Sequence, residues 1–170
     1  MRGLCPLSAQ VVNQGAGMVR RLALVTGASA GIGAAFARLY ASHGYDVALT
    51  ARRTDRLETL AEEISLRHEV ETLTFAADLA EPQSPAAILE HLTARGRVVD
   101  VLVNNAGYGV PGGFLESPWE THAAFLQVML TAPTELAHKV LPGMAERKFG
   151  RIVNVASLAA FAPGPWMSSY

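Results

Sequence analysis

Cysteine is nearly absent from this chain. Cys5 is the only one in 170 residues, which excludes an internal disulfide framework and matches the usage of a reducing compartment such as the cytoplasm. Neither sign of charge dominates: 14 basic and 15 acidic residues leave a formal net charge of -1, so no basic excess points to nucleic acid. Apolar runs fall well short of the ~18 residues that a membrane-crossing helix requires, and no bilayer span is expected. The first 17 residues, MRGLCPLSAQVVNQGAG, have a weak apolar patch interrupted by Pro6, Ser8 and Gln10, whereas a secretory signal needs a firmer run. Residues 1–18 are therefore expected to be a disordered extension or the product of a start codon assigned too early, with the fold carried by 19–170.

What the chain does have is apolar content, at 50% of residues with 17% charged, enough for one domain with a real core. From Leu22 onward, apolar runs alternate with helical patterns. Leu22–Thr26, Asp46–Thr50, Glu71–Phe75, Val98–Val103 and Arg151–Val155 read as strands, several of them continuously apolar as buried parallel strands are. Helices are predicted at 31–43, 54–68, 83–95 and 119–147. Such alternation predicts an α/β fold, a doubly wound parallel sheet of Rossmann-like type. No internal repeat or low-complexity segment interrupts it.

The first strand-to-helix junction reads TGASAGIG, residues 26–33. Gly27 would leave the strand in a tight turn, Gly31 would let backbone approach a pyrophosphate, and Gly33 would permit close helix packing. The helix that follows would turn its N-terminal amides and the positive end of its dipole toward phosphate. A plain structural turn is the alternative, and the position after a strand and before a helix argues against it.

TGASAGIG, Asp78-Leu79, NNAG at 104–107, NVAS ending at Ser157 and a tyrosine thirteen residues later at Tyr170 occur in that order. Together they resemble a short-chain dehydrogenase/reductase from about Leu22 to Tyr170. The resemblance implies hydride transfer between a nicotinamide cofactor and a carbonyl or alcohol carbon of a small molecule. It assigns Ser29, Ile32 and Ala106 to the cofactor site beside the three glycines. Asp78 would hydrogen-bond the adenine amine with Leu79 near the ring, although an ordinary capping aspartate is the other reading. In NNAG, Asn104 would face the cofactor, Asn105 would brace the strands, and Gly107 would admit the cofactor by its small size.

The end of the second strand reads Thr50-Ala51-Arg52-Arg53 and carries no carboxylate. An acid there would favour NAD by accepting from the ribose hydroxyls and repelling a 2′-phosphate. By similarity to NADP-preferring members, Arg52 would face that phosphate, with Arg53 secondary, and NADP(H) is expected over NAD(H). Two solvated arginines at a helix start are the alternative.

The resemblance makes Ser157 and Tyr170 catalytic, both hydroxyls bonding the substrate oxygen and the tyrosine moving the proton. A free tyrosine titrates near about 10, so a neighbouring ammonium is needed to stabilise its phenolate. The family places that lysine one helical turn beyond the tyrosine, past the last residue here. Two further departures are Met129, aligned with an asparagine of the full tetrad and suited to filling a core gap, and Pro133, which should kink the long helix. Against the family pattern the chain lacks the last strands of the fold, which would leave the fifth strand as a sheet edge. It also lacks half of the helix pair through which members commonly form homo-oligomers. Gly112, Gly113 and the Pro163–Pro165 stretch read as loops around the site. Three expectations stand: an NADP(H)-dependent reductase impaired by truncation, a non-catalytic NADP(H)-binding or interaction module, and an inactive remnant.

Overall fold

The computed structural model describes residues 12–13 and 18–161. Cys5, Pro163–Pro165 and Tyr170 lie outside the described residues. Val12–Asn13 (β1) and Met18–Val19 (β2) pair as a short antiparallel ladder. The body of the fold then alternates: β3 Leu22–Thr26, α1 Gly31–Ser42, β4 Asp46–Ala51, α2 Thr54–His68, β5 Thr72–Ala76, α3 Ser84–Thr93 and β6 Val99–Asn104. After α4, Trp119–Leu126, and α5, Ala132–Glu146, the sheet is completed by β7, Arg151–Asn154.

β3 to β7 form a five-stranded sheet in the order β5-β4-β3-β6-β7, and every pairing is parallel. This is the expected doubly wound arrangement. All five residues of β3 and all six of β6 are buried, as central strands covered on both faces must be. Alternation divides them. Ala23, Val25, Val47, Leu49 and Val101 pack with Ala37 of α1 and Leu57 of α2 on one face. Leu22, Leu24 and Leu102 pack with Ile88 of α3 and Leu136 of α5 on the other.

Helix sequence explains each covering layer. α2 places Leu57, Leu60, Ala61 and Ile64 on its buried stripe, at the spacing of one helical face. α1 buries Gly33, Ala34, Ala37 and Ala41, small residues that bring it close to the sheet. The sequence predicts a single helix over 119–147, whereas the structure has α4 and α5 joined by a π-helical turn, Gln127–Thr131. Pro133 has no amide to donate, and the ladder changes register just before it: the Ala132 N–H donates to the Gln127 carbonyl, five residues back. The expected kink is thus a local widening of the helix. Pro142 also lies inside α5, which continues to Glu146.

The end of the sheet where the strands begin is closed by buried charge. Arg97 pairs with Asp46 at 2.7 Å, the two side chains only 10% and 6% exposed. Its other branch reaches Glu71. Asp46 also accepts from the Glu71 amide at 2.8 Å, and Asp100 accepts from the Leu22 amide at 3.0 Å. Removing one partner of a buried pair strands the other charge. Arg97→Leu is therefore expected to lower the unfolding free energy by about 3 kcal/mol, read from urea melts with an unchanged slope.

Candidate functional site

The strand order reverses its direction of growth between β3 and β6, and a crevice opens there beyond the carboxyl ends of the strands. It is a cleft of about 690 Å³ lined by Gly27, Ser29, Gly31, Ile32, Arg52, Asp78, Leu79, Ala106 and Gly107, together with Thr50, Arg53, Asn105 and Tyr108. Residues far apart in the chain meet there because β3, β4, β5 and β6 all end at one rim.

Each glycine of the first loop meets a different constraint. Gly27 has φ +65° and a Cβ on it would lie 2.8 Å from the Ala106 Cα. Gly31 has φ +55°, yet a Cβ there would meet nothing within 4 Å, so its backbone lies bare toward the cleft. A Cβ on Gly33 would come 2.5 Å from the Gly27 carbonyl oxygen, and this glycine sits behind the loop as a packing residue. α1 begins with Ala30 at its cap, no side chain bonding the first amides and no acid in the first turn. The positive end of the helix is left for an anion.

Thr26 joins this loop to the next. Its hydroxyl donates to the Val103 carbonyl at 3.3 Å and accepts from the amides of Asn105 at 3.0 Å and Ala106 at 3.1 Å. The Asn105 side chain returns the contact, donating to the carbonyls of Thr26 at 2.9 Å and Gly27 at 3.2 Å. On the β4 side, Arg52 and Arg53 are exposed at the rim, and Arg53 Nη2 donates to Ser29 Oγ at 3.0 Å. Thr50 lies at the floor of the cleft, its hydroxyl buried and without a partner among the described residues. Asp78 holds the turn after β5 by accepting from the Ala80 amide at 3.0 Å. Burial raises the Tyr108 phenol above its ordinary 10.0; Arg52 opposes that rise and Asp78 adds to it. A bare glycine backbone, a helix start with neither a capping side chain nor an acid, and two guanidiniums fit an elongated, phosphate-bearing nucleotide.

The short chain dehydrogenase family model matches residues 21–170. The chain belongs to the short-chain dehydrogenase family. A short chain dehydrogenase of Pseudocercospora fijiensis is 36% identical over 156 residues, which are 88% of this chain and 49% of that protein. Among solved structures, the L-sorbose reductase of Gluconobacter frateurii, complexed with NADPH and L-sorbose, aligns with TM-score 0.83 and 33% identity over 88% of this chain and 57% of its own. A short-chain dehydrogenase from Sphingobium yanoikuyae in complex with NADPH aligns with TM-score 0.82 and 37% identity, over 88% and 58% respectively. The chain spans about half the length of the curated relatives it matches.

In this member of the family the Asn105 side chain braces the loops after β3 and β6 as expected, and it is Asn104 whose placement differs from the expectation. Asn104 does not line the cleft. Its amide donates to Asn154 Oδ1 at 2.9 Å and the Pro133 carbonyl at 3.3 Å, inside a second cavity of about 570 Å³ beside α5. Strand alternation is the reason: Asn104 continues the Leu102 face, and the next residue, Asn105, turns to the face of the glycine loop. Met129, in the π-helical turn, packs toward Gly107, where an added Cβ would lie 2.9 Å from its sulfur. Ser157 lines neither cavity; its hydroxyl accepts from the Ala159 amide at 3.1 Å and caps the turn at Leu158–Ala160.

Sequence reasoning missed Thr26, although it opens the TGASAGIG motif, and ranked Arg53 below Arg52 without seeing its bond to Ser29. Among the described residues, no group of three or more His, Cys, Asp or Glu could hold a metal ion. None of their helices is long and apolar enough to cross a membrane. Thr26→Val keeps the shape but leaves two loop amides without an acceptor. It should cost about 2 kcal/mol of stability, measured by denaturant unfolding, and a loss below about 0.5 kcal/mol would show that the hydroxyl is dispensable.

Proposed function

We propose that this chain forms the NADP(H)-binding part of an oxidoreductase acting on a small carbonyl or alcohol substrate. The observation that carries the reading is the rim of the cleft at the end of β4. Arg52 and Arg53 stand there without a carboxylate of that strand, and Arg53 is already hydrogen-bonded to Ser29 of the glycine loop. Guanidiniums and a hydroxyl suit the 2′-phosphate that distinguishes NADP(H) from NAD(H). The backbone at Gly31 and the start of α1 take the pyrophosphate, while Asp78, Leu79 and Ala106 surround the adenosine. NADPH in the sorbose reductase and Sphingobium structures supports the same choice.

When bound, the cofactor supplies hydride chemistry. In this proposal the Ser157 and Tyr170 hydroxyls orient the substrate oxygen, and Tyr170 gives or takes the proton. The Ser157 oxygen accepts from the Ala159 amide, a contact that holds the hydroxyl in place while its O–H can still donate to the substrate oxygen. A cytoplasmic setting belongs to the same proposal and rests on Cys5 standing alone.

A second reading, nucleotide binding without turnover, is favoured by Met129. It fills the space beside Gly107 where members with a full tetrad have an asparagine, and a thioether cannot hold a water for proton exchange.

Calorimetric titration should show NADPH binding at least about tenfold tighter than NADH, because one charge-assisted hydrogen bond to phosphate is worth about that much. Arg52→Ala with Arg53→Ala should erase the difference, and equal affinities in the parent chain would refute the NADP(H) assignment. Carbonyl-dependent NADPH oxidation should fall about 100-fold or more in Tyr170→Phe and in Ser157→Ala. Tight NADPH binding without any such oxidation would support the second reading.

A further inference from the structure

Tyr108 follows the NNAG motif directly and belongs to none of the motifs that define the cleft. Its ring nevertheless lines the cleft with Arg52, Asp78 and Leu79, residues contributed by the ends of β4 and β5. The ring stands perpendicular to that of Phe125 in α4, with centroids 5.7 Å apart and planes at 90°. Phe125 is 3% exposed, whereas Tyr108 keeps 37% of its surface open. The ring is therefore held against a core aromatic while more than a third of the residue stays open at the cleft. A guanidinium, a carboxylate and an aromatic ring thus line one cleft. Gly107, immediately before it, packs on Met129 and sets where the loop delivers the ring.

Resting on the NADP(H) reading above, we propose that Tyr108 is the aromatic wall of the adenosine end of the cleft, stacking on the adenine base. The three neighbours divide the work by chemistry. Asp78 accepts from the exocyclic amine, Arg52 meets the phosphate, and the Tyr108 π face covers the ring between them. Stacking does not discriminate among bases, so Tyr108 sets affinity while Asp78 sets identity. The edge-to-face contact with Phe125 holds the ring in place before the nucleotide arrives, which lowers the cost of ordering it on binding.

The test is titration of the 170-residue chain and its Tyr108→Ala, Tyr108→Leu and Tyr108→Phe variants with NADPH and with adenosine 2′,5′-bisphosphate. Thermal melts run alongside. Tyr108→Ala should weaken both ligands alike by about tenfold, and Tyr108→Phe should keep the parent affinity. Parent-level affinity for the bisphosphate in Tyr108→Ala, or a loss seen with NADPH alone, overturns the assignment. If Tyr108→Ala melts early, Tyr108→Leu decides, since it keeps bulk against Phe125 without a π face; parent-level affinity there overturns the assignment as well. A parent chain that binds neither ligand refutes the NADP(H) reading and Tyr108 together, whereas a parent that binds and variants that bind equally refute Tyr108 only.

Discussion

The Thr26 hydroxyl accepts two backbone hydrogen bonds across the point where the sheet changes direction, and the shape of the cleft depends on it. β3 and β6 are parallel neighbours, so their chains leave the sheet side by side and then diverge toward α1 and α4. Without a tie, the glycine loop and the NNAG loop would carry unpaired amides at their closest approach. Thr26 takes the amides of Asn105 and Ala106, and Asn105 spans back to the carbonyls of Thr26 and Gly27. This lattice of bonds leaves no room for a Cβ at Gly27 or Gly33. Gly31, one turn away, stays open because nothing in the lattice reaches it.

The two ends of the sheet use charge differently. Where the strands begin, Arg97, Asp46 and Glu71 satisfy one another, and Arg147 lies 3.6 Å from Asp100. Where the strands end, Arg52 is exposed and Arg53 donates to the neutral hydroxyl of Ser29. Paired charge holds a sheet together; cationic charge left facing a cleft is available to an anion.

Much of the scaffold was legible from residue pattern. LALVT, DVALT and VVDVLV are apolar runs too short for helices, and each marks a buried parallel strand, the last of them displaced by one residue to Val99–Asn104. α2 was legible from Leu57, Leu60 and Ile64. The α4 to α5 segment was only half legible: Pro133 signalled a disturbance, but whether a helix answers by kinking or by widening depends on what packs around it. Here Val128 and Ala132 are both buried against the sheet, and a π turn keeps them there while the ladder changes register.

Side-chain identity and spacing determined the family, the α/β fold and the position of the glycine loop, because strand and helix periodicities and the special backbone of glycine are local properties. Tertiary structure alone decided which asparagine of NNAG faces the cleft, since a single residue of strand register sends Asn104 toward α5 and Asn105 toward β3. It alone paired Arg53 with Ser29, gave Thr26 its bonds and set Tyr108 beside Arg52 and Asp78. Those contacts join residues far apart in the chain, and only the closing of five parallel strands at one rim brings them within bonding distance.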